Sequence, residues 1–230
     1  MSTVTPFRPS ARALGPSLAI AAALAGMLAA PAARAQMGNP FDNPVFRKFF
    51  NPVVGHGEVY ETSTGVAGEK ETQQFQIVGK ESVDGHTAYW FEILMDTPNG
   101  RGAGKSLIVP GEAVIRRSIV QMPGGPPMEM MVRPHRLNSH APDRHERQIG
   151  TETVTVPAGT FTCEHWKNDS GDEAWINSKA SPITVVKSVE PGRTMVLVRL
   201  IGDAHDAITG QVVPFDPKYF RGMRPGASQH

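Results

Sequence analysis

The side chains with the most chemical potential lie in TVTVPAGTFTCEHW, from Thr153 to Trp166. The stretch holds Cys163, the single cysteine of the chain, with His165 two positions later. A thiolate and an imidazole are both transition-metal ligands, and a thiolate is also a nucleophile. Residues two apart on a strand share a face, so Phe161, Cys163 and His165 fall together, opposite Thr162, Glu164 and Trp166. Ligands from elsewhere would complete a zinc or copper site on Cys163 and His165. Against this stands simple packing, since an unpaired cysteine beside phenylalanine usually behaves as a small buried hydrophobe. An intermolecular disulfide is a third reading.

A second set of soft ligands occupies QMPGGPPMEMM, with Met122, Met128, Met130 and Met131. Thioethers suit Cu(I), and they also pack adaptably on apolar surfaces. A core-capping loop, a lid over a hydrophobic ligand and a copper site all fit. His135, His140 and His145 recur every five residues, a spacing that neither helix nor strand gathers on one face. GAGKS, residues 102–106, ends like a phosphate-binding loop. Asn99 stands where its first glycine belongs, and SLIV follows where a helix is needed, so a turn is expected instead. His145-Glu146 begins like a zinc-protease helix, but Ile149 replaces the second histidine, and no G-x-S-x-G elbow occurs. No motif assembles an acid/base pair or a nucleophile. The expectation is a non-enzymatic protein without a cofactor.

The elements that position these residues read as strands. HGEVYETST, TQQFQIVGKE, TAYWFEILM, KSLIV and AVIRRSIVQ alternate and are punctuated by Gly, Asp and Pro; TETVTVP, GTFTCEHWK, EAWIN, ITVVKSVE and RTMVLVRLIG follow. In TAYWFEILM, Tyr89, Phe91, Ile93 and Met95 oppose Ala88, Trp90, Glu92 and Leu94. Both faces are bulky, so one meets the core and the other is partly covered. Asp84-Gly85 signals a two-residue turn. Val156-Pro157-Ala158-Gly159 fits a type I turn with glycine in the left-handed position, making the opening stretch a hairpin. Between them, residues 122–148 read as a long irregular excursion.

The fold class expected is all-β with minor α: a curved antiparallel sheet, half-barrel or sandwich, with short terminal helical turns. Asn43-Pro44 starts one such turn, laying Phe46, Phe49 and Phe50 on the body. Asp216-Pro217 starts the other, over KYFRG.

Residues 1–35 differ from the rest. Arg8 and Arg12 precede the apolar run SLAIAAALAGMLAA, and Ala33 and Ala35 supply an A-x-A site. This is the pattern of a secretory signal peptide cleaved after Ala35, and the run is too short to span a membrane. The division expected is a signal peptide over 1–35, an irregular segment with a short helix over 36–54, a β domain over 55–210 and a tail over 211–230. The leader carries three arginines and no acid, leaving 20 basic against 22 acidic residues. That balance offers no stripe for nucleic acid and no basic run for an anionic membrane. A lone cysteine excludes an internal disulfide framework. The mature protein is expected in the periplasm or secreted, with no membrane span.

The pieces GEVYET, IVGKESVDGHTAYWFE, IVQMPGGPPMEMM, VTVPAGTFTCEHW, AWINSKASPITVVKS and TMVLVRLIG resemble a group of uncharacterised exported bacterial β-proteins. They cover roughly Gly57 to Gly202. More distantly, the chain is similar to the periplasmic lipoprotein-carrier, LolA-like half-barrel. That resemblance implies a concave apolar face able to hold acyl chains under a lid. Here the face would be lined by Tyr89, Phe91, Ile93, Ile115 and Leu197, with Met122, Met128, Met130 and Met131 in the lid. The function expected is an exported domain binding a hydrophobic small molecule or lipid. The alternatives are a periplasmic copper or zinc binder and an envelope structural or interaction protein.

Overall fold

The computed structural model describes residues 49–64, 70–97, 100–112, 115–132 and 146–216. The leader, Phe46, the three five-spaced histidines and the KYFRG turn lie outside these residues. The strands are β1 (Gly57–Thr64), β2 (Lys70–Val83), β3 (His86–Thr97), β4 (Gly100–Ile108), β5 (Ile115–Gln121) and β6 (Pro127–Met130). They continue as β7 (Arg147–Val156), β8 (Gly159–Lys167), β9 (Glu173–Ile176), β10 (Val185–Glu190), β11 (Arg193–Ile201) and β12 (Val213–Pro214).

All twelve form one curved, unclosed sheet in the order β12-β6-β5-β4-β3-β2-β1-β11-β10-β9-β8-β7. Every neighbouring pair is antiparallel except β12 with β6. Links between consecutive strands set most of this order, while β1 with β11 and β12 with β6 pair across long separations. Asp84 and Gly85 both take positive φ, 51° and 81°, the backbone that reverses a right-twisted pair of strands in two residues. The VPAG turn closes β7 onto β8, with Val156 opposite Gly159. Register shifts interrupt the ladders at Val59/Tyr60, Ile77/Gly79, Leu107/Ile108, Gln148/Gly150 and Val185/Lys187. Each such bulge bends its strand and adds twist, which curls a long open sheet around its own side chains.

The main core gathers Tyr60, Phe75, Ile77, Phe91, Ile93 and Leu197 from the central strands. Phe161, Cys163, Trp175 and Ile176 join it from the far end, and Ala180, Ile183, Val185 and Val186 from the segment before and into β10. Gly57 shows how closely the strands approach. A Cβ there would lie 2.9 Å from both Gln76 Cβ and the Phe75 carbonyl oxygen. We expect Gly57→Ala to cost about 1–3 kcal/mol by forcing β1 off β2, measurable by urea unfolding.

Two local expectations are corrected. GAGKS is not a turn but part of β4, with Gly104 opposite Ile93 and Val120. A Cβ on Gly104 would make only ordinary contact with Val120, at 3.8 Å, so flanking strands impose extension on a glycine-rich run. The excursion after Gln121 is also more regular than its prolines suggest. Gly125 N–H bonds the Met122 carbonyl at 2.9 Å, and β6 then pairs back on β5. Pro127 opens β6 near the sheet margin, where a missing N–H is tolerated.

Candidate functional site

Phe91, Ile93 and Leu197 are fully packed in the main core, with Tyr89 and Ile115 half-buried against it. Phe91 stacks on Phe75 at 6.0 Å between centroids and takes the edge of Phe50 at 5.9 Å. Phe49 meets Trp166 edge-on at 5.5 Å. The chain's own rings thus occupy the apolar face. Met122 and Met128 are buried with Val120, and Met130 and Val213 pack against them. Met131 is separate from this cluster and 82% exposed.

Cys163 and His165 share a strand face but not a site. The Cys163 thiol is buried and contacts the Phe161 carbonyl at 3.7 Å; burial, then the charge of Glu152, pushes its pKa up. His165 stacks on Trp175 at 4.4 Å. Its Nε2 lies 3.0 Å from Glu173 and its Nδ1 3.7 Å from Glu152. The two carboxylates engage opposite ring nitrogens, so they cannot join His165 as ligands of a single ion. Among the described residues, no three His, Cys, Asp or Glu side chains are spaced to hold a metal. The arrangement instead ties β7 to β9, because the Trp175 indole N–H also donates to Glu152. Beside it, Phe49, Trp166, Asn168 and Glu173 line a cleft of about 20 Å³, room for water rather than an organic ligand.

Two buried carboxyls escaped the sequence reading. Glu58 lies inside the core, where its Oε2 accepts the Ile183 N–H at 2.8 Å. Burial raises its pKa from 4.5 to about 8, against the opposing hydrogen bond from the Ile183 main chain. Its neighbour Tyr60 donates its hydroxyl to the Val185 carbonyl at 2.6 Å. Burial, with Glu58 beside it, pushes the phenol pKa well up.

Glu92 lies on the opposite face, beneath the segment that follows β11. The Ala207 N–H donates to both its oxygens, at 3.2 and 3.1 Å. Gln76 Nε2 donates to Glu92 at 2.6 Å and to the His205 carbonyl at 2.9 Å. Lys105 pairs with Asp206. Gln121 exchanges two hydrogen bonds with the main chain of Thr209, at 3.0 and 3.2 Å. Ile208 packs with Leu94, Ala103 and Ile119, beside Trp90. Lys105 and Arg117 lie 5.2 and 5.5 Å from the Trp90 ring. Residues 204–209 thus cross β2, β3, β4 and β5 as a strap.

Two solved structures show a weak likeness to the chain. One is a Bacteroides fragilis NCTC 9343 protein described as exported, with a YmcC-like fold. It is 13% identical, with a TM-score of 0.37 over 66% of this chain and 98% of that one. Another, described as a lipoprotein, comes from Parabacteroides distasonis ATCC 8503. It is 15% identical, with a TM-score of 0.35 over 66% of this chain and 97% of that one. No family model and no curated protein matches the chain.

The last candidate feature is the sheet margin at β7. Arg147 to Thr153 are all exposed. Among the described residues, β7 pairs with β8 alone. In a two-residue hairpin the closing pair, Val156 and Gly159, is hydrogen-bonded. Alternation then aims the N–H and C=O groups of Thr151, Thr153 and Thr155 away from β8. Among the described residues, no helix is long and apolar enough to cross a membrane.

Proposed function

We propose that this chain is an exported, non-enzymatic envelope protein that acts by protein contact, offering the outer edge of β7 to an extended partner segment. Export rests on the charged start, apolar run and A-x-A pattern of residues 1–35. The observation that carries the contact reading is the exposed, one-sided β7 ladder. Such an edge is a template for strand addition, in which main-chain hydrogen bonds supply affinity. The His165–Glu152–Trp175 contacts brace that edge from behind. They also engage the one base that the cysteine–histidine motif could have supplied. A lipid on the apolar face would have to displace Phe50 and Phe75 from Phe91, which makes it the weaker occupant.

Photo-crosslinking from Gln148 in an exporting host tests this. We expect one dominant partner segment, and loss of the crosslink in Thr153→Pro. That variant deletes an outward N–H and should cost the fold about 1 kcal/mol or less. Crosslinks that survive the proline, in protein with wild-type circular dichroism, would argue against edge recognition.

A further inference from the structure

The two margins of the sheet differ. β12 has 2 residues and includes Pro214, and short length and proline both blunt an edge. β7 runs for 10 residues with neither proline nor lysine. From Thr151 to Thr155 it reads TETVT, the same from both ends except for Glu152 and Val154. Two such strands laid antiparallel are self-complementary. We propose, resting on the edge recognition described above, that the occupant of this edge is a second copy of the chain, its β7 antiparallel to the first about a two-fold axis at Thr153.

The main chain fixes the register. Only residues whose N–H and C=O point away from β8 can bond a second β7. Between the Gln148/Gly150 bulge and the VPAG turn these are Thr151, Thr153 and Thr155. With the axis at Thr153, that residue faces Thr153 of the second copy and Thr151 faces Thr155. Each such pair exchanges two main-chain hydrogen bonds. Other centres fail. An axis at Glu152 sets two like charges directly opposite. One at Thr151 carries the ladder across the bulge. One at Val154 sets Thr151 against Pro157, which has no N–H. At Thr153, by contrast, Glu152 faces Val154, and each Glu152 carboxylate keeps the Trp175 indole of its own chain. The threonines also continue a row on the outer face of the hairpin. The Thr155 and Thr160 hydroxyls lie 3.1 Å apart, and Thr153 is in register with Thr162. Pairing extends these rows into the second copy, and threonines are favourable cross-strand neighbours. Thr151, Thr153 and Thr155 are all exposed, so the contact displaces none of the chain's own packing.

Disulfide trapping in the full chain reads the register. Thr153→Cys places two cysteines across the axis, about 5.5 Å apart at Cα and within disulfide reach, and should give a covalent dimer under mild oxidation. Thr151→Cys and Thr155→Cys should each give none alone and a disulfide-linked heterodimer when mixed. The native Cys163 is buried and does not compete. Sedimentation velocity of the wild-type chain should show a reversible monomer–dimer equilibrium, because a single strand pair buries little area. Thr153→Pro removes one donor from each copy and should raise the dimer dissociation constant about 10–100-fold. A wild-type chain that stays monomeric into the millimolar range, or Thr155→Cys alone trapping a dimer as readily as Thr153→Cys, overturns self-pairing. In either case a Gln148 crosslink to another protein that is lost in Thr153→Pro leaves edge recognition standing, and one that persists removes both. If Thr153→Pro does not fold, the disulfide pattern decides.

Discussion

Replacing Glu58 with glutamine is expected to make the protein more stable at pH 9 and nearly unchanged at pH 4. The reason is where its proton resides. The folded chain holds the Glu58 proton up to about pH 8, whereas an unfolded glutamate releases it near 4.5. Between those values the native state binds more protons than the unfolded state, so stability must fall as pH rises through the window. It is level below 4.5 and again above 8. At about 1.4 kcal/mol per pH unit the loss approaches 5 kcal/mol, a large share of a domain's stability. Glutamine cannot ionise, and its carbonyl can still accept the Ile183 N–H. Urea unfolding from pH 4 to 9 should show the steep wild-type decline reduced in Glu58→Gln to the part contributed by Glu92, whose pKa burial raises from 4.5 to about 7. Equal slopes in the two proteins would mean that Glu58 is ionised in the native state. The expected gain at pH 9 is about 3–5 kcal/mol.

Glu58 and Glu92 also mark the limit of what the sequence made legible. Alternation and turn chemistry are local, and they located ten of the strands and both tight turns. The shared face of Phe161 and Cys163, and the two apolar faces of TAYWFEILM, follow from the same period of two. The two acids were legible only in part. Each sits in a strand whose same-face neighbours are bulky, Tyr60 beside Glu58 and Trp90 and Leu94 beside Glu92. A carboxyl in such company is either solvated at an edge or buried, and which of these holds depends on distant partners. Glu58 meets Ile183, and Glu92 meets Ala207, more than a hundred positions along the chain. No local pattern encodes those contacts. The strap was hidden for the same reason, since its fastenings are side chains reading a main chain. GAGKS and the Pro-rich stretch failed in the opposite direction. Their glycines and prolines signal turns locally, but neighbouring ladders overrule the signal in β4 and β6.

Truncating Phe91 to alanine is expected to destabilise the protein by about 3–5 kcal/mol, among the largest effects of any single core change. Phe91 is 1% exposed, stacks on Phe75 and receives the edge of Phe50. Removing its ring leaves a cavity bordered by Ile77 and Ser106 in the adjoining ladders, which hold the strands too rigidly to collapse. The same substitution separates packing from ligand binding. A side chain lining an open groove would lose little stability on truncation, about 1 kcal/mol or less, and its loss would show in uptake of a fluorescent fatty acid. Met131→Ala supplies the contrast, because Met131 is exposed and should change stability by no more than about 0.5 kcal/mol. If urea unfolding shows a cost for Phe91→Ala as small as that for Met131→Ala, the apolar face is looser than its ring contacts indicate, and a lipid occupant regains standing. A large cost, with no fatty-acid uptake by the wild-type protein, places Phe91 in the framework that holds β7 and the strap in position.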